Sequence, residues 1–178
     1  GETLSDVELC TSIQSSTNRQ TTFYKNTLEV IPNPGRLYGA AVPILYYYVE
    51  AYNLLNDTDK NVLTVHTAIV DAAGKEVLVQ ERKKPRVIKS SVEVGTMNLT
   101  SFKGGTYLFR ISLVDSLRGS LAQSAKKFFI YKPSAGDASE NGARLPEVFE
   151  NAAHAHHLDH LSSIRKGSCF AASYRARL

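Results

Sequence analysis

The chain has 178 residues, of which 43% are hydrophobic and 21% are charged, so its composition is that of a globular domain and excludes disorder of the whole chain. Its formal net charge is +4, and residues 134–178 carry five charges of each sign, so the whole positive excess lies in residues 1–133. Two cysteines, Cys10 and Cys169, are too few for a disulfide framework, and the lack of an 18-residue apolar run predicts no membrane span.

The first predicted strand is an alternating segment at residues 3–13. It places four side chains on one face, with the period of a half-buried strand: Val7, Leu9, Thr11 and Ile13. Cys10 lies in the same strand, where a lone cysteine is more often a small hydrophobic core residue than a reactive thiol. We therefore expect Cys10 to pack in the core.

The most informative segment is the apolar, tyrosine-rich run at residues 44–55. A short strand at residues 28–31 precedes it and ends at Pro32-Asn33-Pro34-Gly35, where two fixed φ angles and a permissive glycine force a change of direction. In the run itself Glu50 and Asn53 are the first clearly polar positions, which is typical of a strand covered on both faces. This strand is the predicted centre of a β-sandwich.

The remaining strands are short and evenly spaced. They are predicted at residues 62–72, 75–80, 87–94, 106–113 and 123–131, with a tight turn at 71–74 and a crossing connection at 95–102. The clearest alternation is at residues 106–113. One face is apolar and carries Tyr107, Phe109, Ile111 and Leu113, and the opposite face carries Thr106, Leu108, Arg110 and Ser112. With no helical period before residue 134, the pattern predicts an all-β, immunoglobulin-like antiparallel β-sandwich of about seven to nine strands. Because Trp is absent, the likeness to antibody domains is one of architecture only.

The positive charge is densest around Pro85. Five cations lie there, Arg82, Lys83, Lys84, Arg86 and Lys89. No aromatic stacking residues alternate with them and no nucleic-acid-binding motif surrounds them, so we predict no nucleic-acid partner. A solvated hairpin or a charged edge strand is the favoured interpretation, since Lys and Pro commonly protect sheet edges.

The composition changes after Pro133. Residues 134–142 are rich in Gly, Ala, Ser and Asp, which is typical of a linker, so we predict a β-sandwich domain at 1–133 and a linker with a disordered, poorly structured or short helical C-terminal tail at 134–178. The bias of residues 162–178 toward Arg, Ser, Ala and Cys is also that of a gene read out of frame, an explanation that sequencing of the locus would test.

Four histidines of the tail have spacings of three and four residues that place pairs on one helical face: His154, His156, His157 and His160. A zincin needs Glu directly after the first histidine of its motif, and His157 follows His156 instead. A solvated helix with adventitious metal affinity is therefore favoured over a metal site.

No catalytic set is visible in residues 1–133. His66 is the only histidine there, and no glycine-flanked serine elbow accompanies it, so a surface or hydrogen-bonded histidine is expected. The acidic residues of the predicted turns, Asp57, Asp59 and Asp71, do not follow the spacing of a calcium loop. We therefore assign no catalytic, cofactor-binding or metal-binding residue, predict no cofactor, and predict that the chain is not an enzyme.

Three segments resemble the amino-terminal domain of the bacterial GWxTD-domain-containing proteins. They are Pro32-Asn33-Pro34, the run Tyr46-Tyr47-Tyr48 with Glu50 and Tyr52-Asn53, and Lys127-Phe128-Phe129 through Pro133, within a similarity that covers about residues 5–133. The resemblance implies an exported β-sandwich that precedes a helical region bearing the Gly-Trp motif. That motif has no counterpart in this Trp-free chain, so no functional residue carries over.

These observations predict a non-enzymatic structural or interaction module of a bacterial cell-envelope protein. Its partner would be another protein or the missing remainder of the family architecture, and its location the periplasm or cell envelope, after export by a leader that this chain, which begins at Gly1, does not show. Two alternatives stay open at this point: an accessory β-sandwich domain of a larger enzyme or transporter, and a metal-dependent hydrolase centred on His156 and His160.

Overall fold

The computed structural model describes residues 1–55 and 62–133, and in these two ranges every regular element is a β-strand. The strands are β1 (Thr3–Leu4), β2 (Glu8–Ser15), β3 (Tyr24–Lys25), β4 (Leu28–Pro32), β5 (Leu37–Gly39), β6 (Ile44–Tyr52), β7 (Val62–Val70), β8 (Glu76–Pro85), β9 (Ser91–Asn98), β10 (Gly105–Asp115) and β11 (Gly119–Tyr131). Across these described ranges no helix is long and apolar enough to cross a membrane.

The strands form two sheets. In the first sheet, β6 pairs with β9 along one edge and with β1 and β2 along the other, while β4 pairs with β2 and β3 with β4. The second sheet has the order β5-β11-β10-β7-β8. All pairs are antiparallel except β5 with β11. The chain passes from the first sheet at β6 to the second at β7, returns at β9 and crosses again at β10, which is the connectivity of an immunoglobulin-like sandwich.

One apolar core joins the inner faces of the two sheets. The ring of Tyr47 on β6 lies 4.7 Å from that of Phe109 on β10, which links the centres of the sheets directly. Several inner side chains of both sheets are fully buried, among them Leu45, Val49, Leu63, Ile69, Met97, Phe109, Ile111 and Leu113. The predicted all-β sandwich is therefore confirmed, and eleven strands are found instead of seven to nine because β1, β3 and β5 are only two or three residues long.

A second, smaller apolar cluster lies on the outer face of the first sheet. It is formed by Cys10, Val30 and Tyr48, with Ile13 and Val92 among the residues packed around it. Burial raises the pKa of the Cys10 thiol to about 12, and the nearby charge of Glu8 adds to this effect. The interpretation of Cys10 as a core hydrophobe is confirmed, and β6 is covered on both faces as its composition predicts.

Some details of the predicted strands are wrong. The strand predicted at 87–94 begins at Ser91, and the strand predicted at 75–80 continues through the basic residues to Pro85. The pairing of β2 with β4 shifts register between Cys10 and Ser12, so Ile13 packs in the outer cluster while Leu9 lies in the main core. A bulge inserts an extra residue and reverses the alternation beyond it, and the pattern of β2 alone does not show this. In addition, Gly95 to Asn98, predicted as a connection, form the second half of β9.

Several predictions fall outside the described residues. These are the turn residues Asp57 and Asp59, the domain boundary after Pro133, the character of the tail, the cysteine Cys169 and the four tail histidines. Each of them stays a prediction.

Candidate functional site

β11 has an edge that is unpaired over most of its length, which we call its free edge. β10 pairs with β11 along its length, whereas β5 covers only residues 129–131 on the opposite edge. The Phe129 N–H points to this edge, since it donates to the Arg36 carbonyl at 2.9 Å. Because peptide groups of a strand alternate in direction, the same edge receives the N–H and C=O groups of Gln123, Ala125 and Lys127. Within residues 1–55 and 62–133, no backbone group bonds to these three N–H groups.

A cleft of about 570 Å³ opens beside this edge. We call it the edge cleft. Its walls are Lys126 of β11, residues 6–9 at the start of β2, the turn residues 32–34, and Arg36. The cleft therefore lies between the start of β2 in one sheet and β11 in the other, and β1, which pairs with β6, contacts β11 without pairing with it.

The turn between β4 and β5 is held firmly against β2. The Asn33 N–H donates to the Leu9 carbonyl at 2.8 Å, and the Asn33 side-chain amide donates to the Leu37 carbonyl at 2.9 Å. The change of direction predicted at this turn is confirmed, but the left-handed residue is Arg36, with φ of 51°, and not Gly35. The residue with positive φ therefore lies one position after the glycine of the turn.

Most charges of the edge cleft are neutralised locally. Lys126 pairs with Asp6 at 2.5 Å, and its hydrogen bond holds the pKa of the Asp6 carboxyl below the ordinary value. Glu8 pairs with Lys25. Arg36 has no carboxylate partner in the described chain, and its guanidinium makes one long contact of 3.4 Å, to the Lys127 carbonyl. None of the residues that line the cleft form a nucleophile and base in contact.

Three residues of the basic run, Arg82, Lys83 and Lys84, lie on β8, an edge strand of the second sheet, as one of the two favoured interpretations predicts, and Arg86 and Lys89 follow that strand. The run is only partly solvated, however. Arg82 and Lys84 both pair with Glu93 of β9, whose side chain is 1% exposed, and the Arg86 side chain is fully buried. The edges of β8 and β9 close one side of the sandwich, so cations that face inward there need a buried anion. The run therefore does not form one exposed basic patch.

His66 lies on the second sheet between two carboxylates. Its Nδ1 is 3.1 Å from Glu81 Oε1 and its Nε2 is 3.2 Å from Glu76 Oε1, and Arg110 also binds Glu76. The two carboxylates lie at opposite ring nitrogens and cannot converge on one ion. In the part of the chain that the structure describes, no group of three His, Cys, Asp or Glu side chains is placed to hold a metal. The prediction of a hydrogen-bonded histidine is confirmed.

The two carboxylates give His66 a pH-dependent effect on stability. Partial burial disfavours the charged ring, but the hydrogen bonds to Glu81 and Glu76 outweigh it and raise the pKa of His66. Its contribution is therefore complete below the pKa of the unfolded chain, near 6.5, and is lost as pH rises through the folded value. We expect the Tm to fall less between pH 6 and pH 8.5 in His66→Gln than in the parent protein. The other four histidines are present in both proteins and cancel in this difference, so equal slopes would contradict the prediction.

The comparisons with known proteins show no family for this chain. No family model and no curated protein matches it. One similar solved structure is the X-ray structure of Northeast Structural Genomics Consortium target SoR45, which is 16% identical, with 64% of this chain and 80% of that chain covered and a TM-score of 0.20. A similarity of this size supports no argument about function.

Proposed function

We propose that this β-sandwich is a non-enzymatic interaction module of a bacterial cell-envelope protein, and that it binds an extended segment of a partner protein along the free edge of β11. The observation that carries the proposal is the row of outward peptide groups at Gln123, Ala125 and Lys127 beside the edge cleft. Addition of a strand would pair these groups with backbone groups of the partner. Each such hydrogen bond contributes about 0.5–1.5 kcal/mol net.

The two ends of the second sheet differ in a way that supports this proposal. β8, at one end, carries charged residues at four successive positions and ends at Pro85, devices that protect an edge against pairing. β11 instead has the uncharged sequence Ala-Gln-Ser-Ala at residues 122–125 and no proline, and the charges of its open part are confined to Lys126 and Lys127. This edge is therefore less protected than that of β8, a difference that suits an acceptor of a single added strand.

The envelope location rests on the resemblance to the GWxTD-domain-containing proteins. One of the three segments that carry this resemblance, the Pro32-Asn33-Pro34 turn, lines the edge cleft, and a second begins at Lys127, directly after the lining residue Lys126. A periplasmic or envelope-associated module would meet extended segments of other exported proteins or of its own parent architecture.

Proline substitutions on β11 test the proposal. Ala125→Pro and Gln123→Pro each remove an N–H that points away from β10, so the sheet loses no hydrogen bond, whereas Ser124→Pro removes one that β10 uses. We expect the full chain to capture a partner from a bacterial envelope extract, and both outward variants to lose it while their Tm stays near that of the parent. Ser124→Pro serves as the control for fold damage and should lower the Tm. Undiminished capture by the two outward variants would contradict strand addition at this edge.

A further inference from the structure

We infer that the strand added to β11 carries an aspartate or glutamate side chain that pairs with Arg36 at the end of the edge cleft. This inference rests on the proposed function and names the chemistry of the partner. Arg36 lies directly before β5, where the free part of the β11 edge ends.

The backbone conformation of Arg36 is one that arginine does not favour. Its φ of 51° is in the left-handed region, which glycine and asparagine tolerate best. Apart from Thr27, the other described residues with positive φ are Asn26, Asn53 and four glycines, Gly39, Gly74, Gly105 and Gly119. Since the fold places Asn or Gly at nearly all such positions, the arginine at position 36 is held against the local preference, and such strained residues cluster at functional sites.

The guanidinium of Arg36 lies beside the edge that the partner would use. Its one described hydrogen bond, 3.4 Å long, goes to the Lys127 carbonyl, which is itself an outward group of β11. Most of its five N–H donors therefore have no partner in the described chain. A carboxylate is the group that matches this planar set of donors, often through two parallel hydrogen bonds.

The charge balance of the cleft favours the same ligand. Its two carboxylates, Asp6 and Glu8, are each bound by a lysine, Lys126 and Lys25 respectively. Arg36 is the cation of the cleft that no described carboxylate neutralises. An acidic side chain is therefore attracted to this end of the cleft.

The strand order also fixes where that acidic residue lies. β5 already occupies the edge next to residues 129–131, so an added strand ends near Lys127 and Arg36. The acidic side chain is then expected at the end of the partner segment that abuts β5, and not along its middle.

A phage-displayed library of random seven-residue peptides provides the probe. It is selected on the full chain, and the recovered peptides are measured on the parent, on Ala125→Pro and on Arg36→Asn. Asparagine accepts the left-handed conformation, so Arg36→Asn should keep or raise the Tm while removing the guanidinium. We expect recovered peptides to share Asp or Glu at one terminal position and to bind Arg36→Asn about 3- to 10-fold more weakly. Replacing that acid by its amide should weaken binding to the parent by the same factor, with no further loss on Arg36→Asn.

The outcomes separate the inference from the proposed function. Peptides that need the open edge, but carry no shared acid or bind Arg36→Asn with unchanged affinity, would overturn the inference and leave strand addition standing. Peptides that bind Ala125→Pro as well as the parent, or a selection that recovers none dependent on this edge, would overturn both.

Discussion

Replacing Arg86 by leucine is expected to lower the free energy of unfolding by about 3–5 kcal/mol, the usual cost of removing one partner from a buried ion pair. The Arg86 side chain is fully buried, with Nη2 3.1 Å from Asp115 Oδ2 and Nη1 2.9 Å from Glu2 Oε1. Without the guanidinium, the buried carboxylate of Asp115 would lose its ion-pair partner. Urea denaturation followed by circular dichroism measures the change, since the chain has no Trp for fluorescence.

The position of Asp115 explains why this pair matters to the fold. Its Oδ1 accepts the backbone N–H groups of Leu117 and Arg118, at 2.8 and 3.0 Å, and so shapes the turn between β10 and β11. Arg86 comes from the connection after β8, and Glu2 from the N-terminal segment. The buried ion cluster therefore joins three parts of the chain that are distant in sequence.

The neighbouring cation Lys83 provides the matched control for Arg86. Lys83 is exposed, and no ion pair or side-chain hydrogen bond is found for it in the described chain. Lys83→Ala should change the free energy of unfolding by less than about 0.5 kcal/mol. If Arg86→Leu were as mild as this control, the buried pair would contribute nothing net, and the prediction would fail.

Sequence periodicity predicts best the strands whose inward-facing side chains are buried along the whole strand. In β10, the alternation from Tyr107 to Leu113 identifies the inner face, and Phe109, Ile111 and Leu113 are fully buried. The turn at residues 71–74 is also found as predicted, with Asp71 Oδ1 accepting the N–H groups of Ala73 and Lys75. Both features depend on residues that are close in sequence, which is why a single sequence shows them.

The features that sequence does not show depend on distant partners. Arg86 belongs to a basic run that the sequence predicts to be exposed to solvent. It is buried because its guanidinium pairs with Asp115, 29 residues away. The open edge of β11 follows from strand order, because the short β5 pairs with only three of its residues. Arg36 takes the left-handed conformation although Gly35 precedes it, because the turn is anchored on β2 through Asn33. No local pattern of side chains carries this information.

Gly95 of β9 provides the second large expected effect. It lies directly opposite Tyr47 of β6, and a Cβ added there would overlap the Tyr47 hydroxyl and lie 2.6 Å from the ring carbon Cζ. The ring is 5% exposed and packs against Phe109, so it can yield only toward the cleft of about 320 Å³ that Tyr47 and Gly95 themselves line. Gly95→Ala is therefore expected to destabilise the domain by about 1–3 kcal/mol, the usual cost of overpacking.

A double-mutant cycle assigns this cost to Tyr47. In a Tyr47→Leu background the ring is absent, so adding Gly95→Ala should cost less than about 0.5 kcal/mol. Gly35→Ala is the control for the backbone, because its nearest atom, Asn33 Oδ1, would lie 4.0 Å from the new Cβ and its φ is not left-handed. It should be neutral or slightly stabilising, as alanine restricts the unfolded chain. An equal loss from Gly95→Ala with and without the Tyr47 ring would show that the strain lies in the β9 backbone instead, and would disprove the proposed overlap.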